Sequence, residues 1–257
     1  MARLHDVVAY LDAELRTAEV PDYDVALNGL QLANGGDVTR VAAAVDFSAN
    51  TVEGALRENA NLLVVHHGMF WRGMHAFVGR AYDRLAAAIS GGLAVYSSHI
   101  PLDLHPRYGN NVLLAGALGL TPTGTFGRYK GVEIGVMGSG DLATDDLRDR
   151  LAAFARGFAT TVVATRYEPG RRTRRWAIIT GAGASPQSLA EAAERGIDTL
   201  IVGEGAHHTA VHAIEHGLVI MYAGHYATET LGVRALGEQL ASQFGVTSTF
   251  IDVPTGL

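Results

Sequence analysis

Histidine dominates the reactive side chains of this 257-residue chain, and its copies are clustered. Ten of the eleven lie in two windows, 66–105 and 207–225. His66 and His67 are adjacent, His99 stands four residues before Asp103, and His225 stands four residues before Glu229. Adjacent residues on an extended chain point opposite ways, so His66 and His67 reach one ion only if the chain turns there. Otherwise they serve two neighbouring ions, which favours a dinuclear site. His225 and Glu229 share a face if a helix begins there, and Asp103 adds a second carboxylate. With no cysteine in the sequence, disulfides, thiolate zinc sites, iron–sulfur clusters and a thiol nucleophile are all excluded. The one lysine, Lys130, lies in a Gly-flanked stretch that reads as a turn, an unpromising place for Schiff-base chemistry. Three imidazoles and two carboxylates suit Zn, Fe, Mn, Ni or Co better than Ca or Mg.

The remaining histidines carry less. His5, His75, His105, His212 and His216 read as ordinary polar positions. His207-His208 reads equally as a polar pair at a helix start, as groups behind the metal ligands, or as substrate contacts.

The frame that must position these groups is an alternation of strands and helices. Arg40–Asp46, Leu62–Val65, Leu93–Tyr96, Trp176–Thr180, Leu200–Val202, Val219–Tyr222 and Thr249–Val253 read as strands, with further strands expected at 129–137 and 160–167. Helices are expected at 3–18, from Ser48 to about 59, 80–89, 110–118 and 144–154, and from Ser185-Pro186 to Gly196. This order argues for an α/β protein with parallel or mixed sheets flanked by helices. Ligands in such sheets gather at the carboxyl ends of strands, and His66-His67 directly follows one.

The chain also resembles itself. Residues 91–120 align without a gap on 217–246 at an offset of 126, matching Gly91 with Gly217, Tyr96 with Tyr222 and His99 with His225. Asp103 then falls opposite Glu229. Upstream, at an offset of 137, Ser48 matches Ser185 and Leu63-Val64-Val65 matches Leu200-Ile201-Val202. An internal duplication is expected, giving two similar lobes, 1–125 and 126–257, with acidic groups meeting at a pseudo-two-fold junction.

The basic run Arg171-Arg172-Thr173-Arg174-Arg175 reads as a solvated hairpin. A net charge of −6 argues against a nucleic-acid partner. Gly138-Ser139-Gly140 and Gly181-Ala182-Gly183 lack phosphate-loop spacing and read as tight turns. No apolar run is long enough to span a membrane, and the first residues carry no hydrophobic signal core, so a cytoplasmic location is expected.

Four motifs occur in the order of a known family: Asn28-Gly29-Leu30-Gln31, Val64-Val65-His66-His67-Gly68-Met69-Phe70, Ser98-His99-Ile100-Pro101-Leu102-Asp103 and Gly224-His225-Tyr226-Ala227-Thr228-Glu229. Over nearly its whole length the chain resembles the NIF-three-like family, whose members carry the name GTP cyclohydrolase I type 2 homologue. The resemblance implies two intertwined α/β lobes, two divalent transition-metal ions between them, and a ring-shaped homohexamer. It assigns His66, His67, Asp103, His225 and Glu229 as ligands, with Glu229 bridging both ions. Gly68 stands where the family usually has proline, and Ile100-Pro101 replaces Thr-Asn. Residues 121–175 leave no room for the middle domain that longer relatives insert.

Together these readings point to a dinuclear metal-dependent hydrolase in which His99 or His208 moves protons. The resemblance implies GTP as the small-molecule substrate, with ring opening and formate release. The competing reading is a non-catalytic metal-binding or metal-handling protein.

Overall fold

Short runs of Val, Leu, Ile and Ala, bounded by turn residues, form the buried strands of two sheets. A computed structural model describes all residues, 1–257. One compact unit comprises Met1–Tyr108 with Gly232–Val253, and the other Gly109–Leu231 with Pro254–Leu257. These limits differ from the expected lobes 1–125 and 126–257. The reason lies in helix Asn110–Ala117, whose Leu114 and Ala115 join the apolar cluster of Trp176, Ile201 and Met221.

The first unit runs β1 (Ala2–Arg3), α1 (Leu4–Glu14), β2 (Gly29–Leu32), β3 (Asp37–Val38), β4 (Arg40–Asp46), α2 (Ala49–Arg57), β5 (Leu62–His67), α3 (Arg80–Ser90), β6 (Ala94–Ser97) and α4 (Ile100–Asp103). The second runs α5 (Asn110–Ala117), β7 (Gly124–Tyr129), β8 (Val132–Ala143), α6 (Thr144–Arg156), β9 (Val163–Ala164), β10 (Arg172–Ile179), α7 (Pro186–Glu194), β11 (Thr199–Val202), α8 (His207–Glu215) and β12 (Val219–Tyr222). Helix α9 (His225–Phe244) starts in the second unit, and from Gly232 onward it belongs to the first, which β13 (Thr247–Phe250) completes.

The first sheet has the order β13-β4-β5-β6-β2. Its first four strands are parallel, and β2 is antiparallel to β6. The second has the order β7-β8-β10-β11-β12-β9, with β10, β11 and β12 parallel and β9 antiparallel to β12. Three parallel strands followed by an antiparallel edge strand therefore recur. So does the helix after the first of them. Ser48 caps α2 and Ser185 caps α7, each in a reciprocal capping box, with Thr51 and Ser188 respectively. Buried on both faces, β4, β5, β11 and β12 read as continuous apolar runs rather than as alternations.

Four local expectations change. Residues 129–137 are not one strand. Lys130, at φ 44, and Gly131 turn the chain between β7 and β8, which form a hairpin. Only Val163–Ala164 of the expected 160–167 strand is paired, because it meets just the last two residues of β12. Gly138-Ser139-Gly140 lies inside β8, where Trp176 packs so closely on Gly138 that a Cβ would lie 2.3 Å from its ring. The arginine run is solvated as expected at Arg172, Arg174 and Arg175, which are exposed, but it is not a hairpin. Arg172 onward is strand β10, Arg171 donates to the carbonyls of Asp198 and Gly217, and Arg172 pairs with Asp141.

Candidate metal centre

In the first unit the carboxyl ends of β5 and β6 deliver three imidazoles to one place. His66 and His67 end β5, and both are buried. His99 follows β6 and is 7% exposed. The ring centroids lie 4.8 Å apart for His66–His67, 4.9 Å for His66–His99 and 5.5 Å for His67–His99. The three offer ligand atoms within 4.8 Å of one another. Asp103, at the end of α4, brings Oδ2 to 3.6 Å from His66 Nε2. Gly68 lets the chain turn after the histidines: a Cβ there would fall 2.5 Å from both the Gln31 amide and Ser97 Cβ.

Each ring is fixed from behind. The Nδ1–H groups donate from His66 to the Ser98 carbonyl, from His67 to Asp46 Oδ1 and from His99 to Asp22 Oδ1, all at 2.9 Å. This arrangement sets the tautomer and turns each Nε2 lone pair to the front, as metal-binding histidines require. Asp46 can do this because the parallel register places it beside His67. Asp22 is itself held by the Asn28 amide at 2.8 Å and by the Ile100 N–H at 3.1 Å. Burial alone would raise the Asp22 carboxyl, but the His99 ring, Asn28 and the Tyr23 N–H hold it below the usual carboxylate range. Asn28 Oδ1 also accepts from the His99 N–H, and Gln31 Oε1 from the Met69 N–H. The Asn-Gly-Leu-Gln segment thus braces both histidine turns.

In the second unit the corresponding group sits at the start of α9. His225 Nε2 lies 3.1 Å from Glu229 Oε2 one helical turn on, and the Glu229 side chain is 3% exposed. His225 Nδ1–H donates to Glu204 Oε1 at 2.9 Å, repeating the carboxylate-backed imidazole. Glu204 follows β11, the neighbour of β12. Gly181, after β10, presses its backbone against the pair.

Buried imidazoles with Nδ1 occupied, accompanied by carboxylates and with no sulfur available, fit a borderline transition ion. These His and Glu groups could hold metal. The other histidines do not join them. His207 and His208 are exposed at the start of α8, and only His207 lines the cavity beside Glu204. His105 stacks on Tyr108, and His212 packs edge-on to His216. Asp22, Asp46 and Glu204 are the carboxylates behind the imidazoles that spacing alone missed. The available signal was an acid placed at or just beyond the end of a neighbouring strand, which applies to Asp46 and Glu204.

The electrostatics of His225 make a pH prediction. Burial opposes its charge, but hydrogen bonds and charge from Glu229 and Glu204 outweigh that and raise its pKa from 6.5 to about 9. In the metal-free chain this stabilisation is fully present below about pH 6.5 and is lost as pH rises through about 9. Metal must displace that proton, so uptake should run the other way and weaken about tenfold per unit of falling pH below 9. Thermal melts of the metal-free chain from pH 6 to 10, with zinc titrations alongside, test both trends. Two flat profiles would exclude the paired imidazolium.

Comparison with known proteins identifies the family and the fold. The model of the family described as Duf34/NIF3 (NGG1p interacting factor 3) matches residues 2–256. The GTP cyclohydrolase 1 type 2 homolog of Halobacterium salinarum is 43% identical over 256 residues, which is 98% of each chain. That of Deinococcus radiodurans is 39% identical over 255 residues, covering 98% of this chain and 94% of its own. Among solved structures, protein ybgI, described as of unknown function, superposes with a TM-score of 0.89 at 31% identity over all of both chains. TTHA1606 from Thermus thermophilus gives 0.86 at 33%, again over all of both chains.

Proposed function

The chain belongs to the Duf34/NIF3 family, and on that premise we propose that it is a dinuclear metal-dependent hydrolase acting on a nucleotide-type substrate, GTP first among them. The observation that carries this reading is the set of three buried histidines, His66, His67 and His99, and the partly buried His225, each with Nδ1–H committed to a carboxylate or carbonyl. His66, His67, Asp103, His225 and Glu229 would hold two divalent ions drawn from Zn, Fe, Mn, Ni and Co. Glu229 is assigned as the bridge, an assignment that rests on the family resemblance. When bound, the ions would supply Lewis acidity that activates water and polarises the bond to be cut.

The chain's own residues supply the proton handling. Asp22 stays ionised and holds His99 as the Nδ1–H tautomer, so His99 Nε2 is free to accept a proton while the new imidazolium is stabilised by the carboxylate behind it. His208, also considered for this role, is exposed and has no hydrogen-bonded partner to orient it, so His99 is preferred. A cytoplasmic homohexameric ring belongs to the same reading, again on resemblance. No helix is long and apolar enough to cross a membrane.

One observation favours a non-catalytic metal-binding role instead: a third imidazole, His99, lies within coordinating reach of His66 and His67 and could close the position that water needs. Anaerobic purification, elemental analysis and a substrate screen including GTP distinguish the two. Up to two transition ions per chain together with formate release from GTP are the expected result. Full metal without turnover of any substrate would favour the binding role, and a folded chain that takes up no metal would overturn both.

A further inference from the structure

A cavity of about 400 Å³ in the first unit, outside the imidazole group, is lined by Arg72, Arg84 and His75 with the rings of Phe47 and Trp71, and by no carboxylate. Both guanidiniums lie over aromatic rings, Arg72 over Trp71 at 5.1 Å and Arg84 over Phe47 at 4.7 Å. Both rings lead to His67. Trp71 stacks on its imidazole at 4.3 Å, and the Phe47 N–H donates to its carbonyl at 2.8 Å. Neither arginine forms an ion pair, and the Arg84 Nε is buried without a hydrogen-bond partner. Arg84 also borders a neighbouring cavity with Glu53 and Asp83, and neither acid pairs with it.

Arg72 is exposed, and Arg84 is partly buried with its Nε edge desolvated; a partly desolvated guanidinium with no counter-charge is unfavourable unless something anionic offsets it. Burial already pulls the Arg84 guanidinium below its usual range. Cation–π contacts compensate in part and orient both forks, but they leave the buried Arg84 Nε–H to be satisfied. Planar forks on a rigid aromatic wall suit bidentate phosphate recognition.

The geometry points to a phosphate-binding subsite at Arg72 and Arg84, which receives the phosphoryl tail of a substrate whose reacting end lies at the His66–His67–His99 group. This inference rests on the hydrolase reading for its reacting end, but the anion subsite itself is testable without turnover.

Titration calorimetry on the full, zinc-loaded chain with pyrophosphate, GTP and guanosine decides it. Arg72→Ser and Arg84→Met should each weaken pyrophosphate and GTP binding about tenfold or more and leave guanosine unchanged. Arg84→Met keeps the stem that packs on Phe47. Arg84→Lys should recover part of the loss, and Arg72→Ser decides the matter if Arg84→Met does not fold. Arg80→Ser, which lines only the neighbouring cavity, should bind like the unaltered chain. Zinc content should be equal in all variants. Unchanged pyrophosphate affinity in Arg72→Ser and Arg84→Met, or an equal loss in Arg80→Ser, overturns the subsite. If arginine-dependent binding appears while no formate is released from GTP, the subsite stands and the hydrolase reading fails. If formate is released with the same KM in all variants, the reverse holds.

Discussion

Glu229→Gln should give a folded protein that has lost most of its metal at both positions and all hydrolysis. Glutamine keeps the size and shape of a side chain that is only 3% exposed, so the fold has little reason to respond. What disappears is one negative charge in a buried place. As a bridge, that charge is shared by two cations, and a neutral amide cannot replace it. His66→Ala and His67→Ala each remove one neutral donor, and about one ion should remain in each variant. Anomalous diffraction at the metal edge on the three variants reads the occupancies directly. Two full ions in Glu229→Gln would mean that Glu229 is no bridge. The metal-free protein gives an independent readout. With one of its two carboxylate partners gone, His225 should titrate below its value of about 9.

Gly181→Ala should damage both the stability of the second unit and the position of Glu229. Gly181 has φ +62, a left-handed conformation that a non-glycine residue holds only under strain. The new Cβ would lie 2.1 Å from Glu229 Oε1 and 3.3 Å from His225 Nε2. The backbone cannot step back, because the Gly181 N–H donates to Thr228 Oγ1 at 3.0 Å and its carbonyl accepts from the Glu204 N–H at 2.8 Å. Strain and overpacking together should lower stability by about 2–4 kcal/mol and push Glu229 off its position. Gly217→Ala is the control. Gly217 has φ +65 and nothing within 4 Å of the added Cβ, so it reports strain alone, about 1 kcal/mol. Melting temperature and metal content of the two variants separate the terms. Equal melting shifts with unchanged metal would mean that Gly181 does not shape the site.

Much of this architecture was legible along the chain for definite reasons. Strands β4, β5, β11 and β12 are buried on both faces, so their Val, Leu and Ile runs announce themselves. Ser48 and Ser185 mark helix starts because a short hydroxyl satisfies backbone N–H groups that nothing else reaches. His225 and Glu229 share a helical turn, which spacing alone reveals. The groups that aim the imidazoles were hidden by distance: Asp22 reaches His99 across 77 positions, and Asp46 and Glu204 each reach their histidine across 21. Side-chain contacts of that range follow from sheet order, not from local pattern. The arginine run follows its charge into solvent at Arg172, Arg174 and Arg175, and only Arg171 departs, donating to carbonyls 27 and 46 positions away.

The first sheet places its last-made strand at one edge, since β13 (Thr247–Phe250) pairs in parallel with β4 (Arg40–Asp46). A growing chain is threaded from the ribosome in order, and about 200 residues separate β4 from that partner. At ~5–20 residues per second, β4 waits roughly 10–40 s with its backbone N–H and C=O groups unpaired on that side. Every strand of the second sheet emerges during the wait. The nascent protein is therefore at its stickiest late in synthesis, with an open strand edge, apolar from Val41 to Val45, of the kind that invites pairing with another chain. Trigger-type holding factors, or a pause before the final turns of α9, would act on that interval, and a chain released early would carry the hazard permanently.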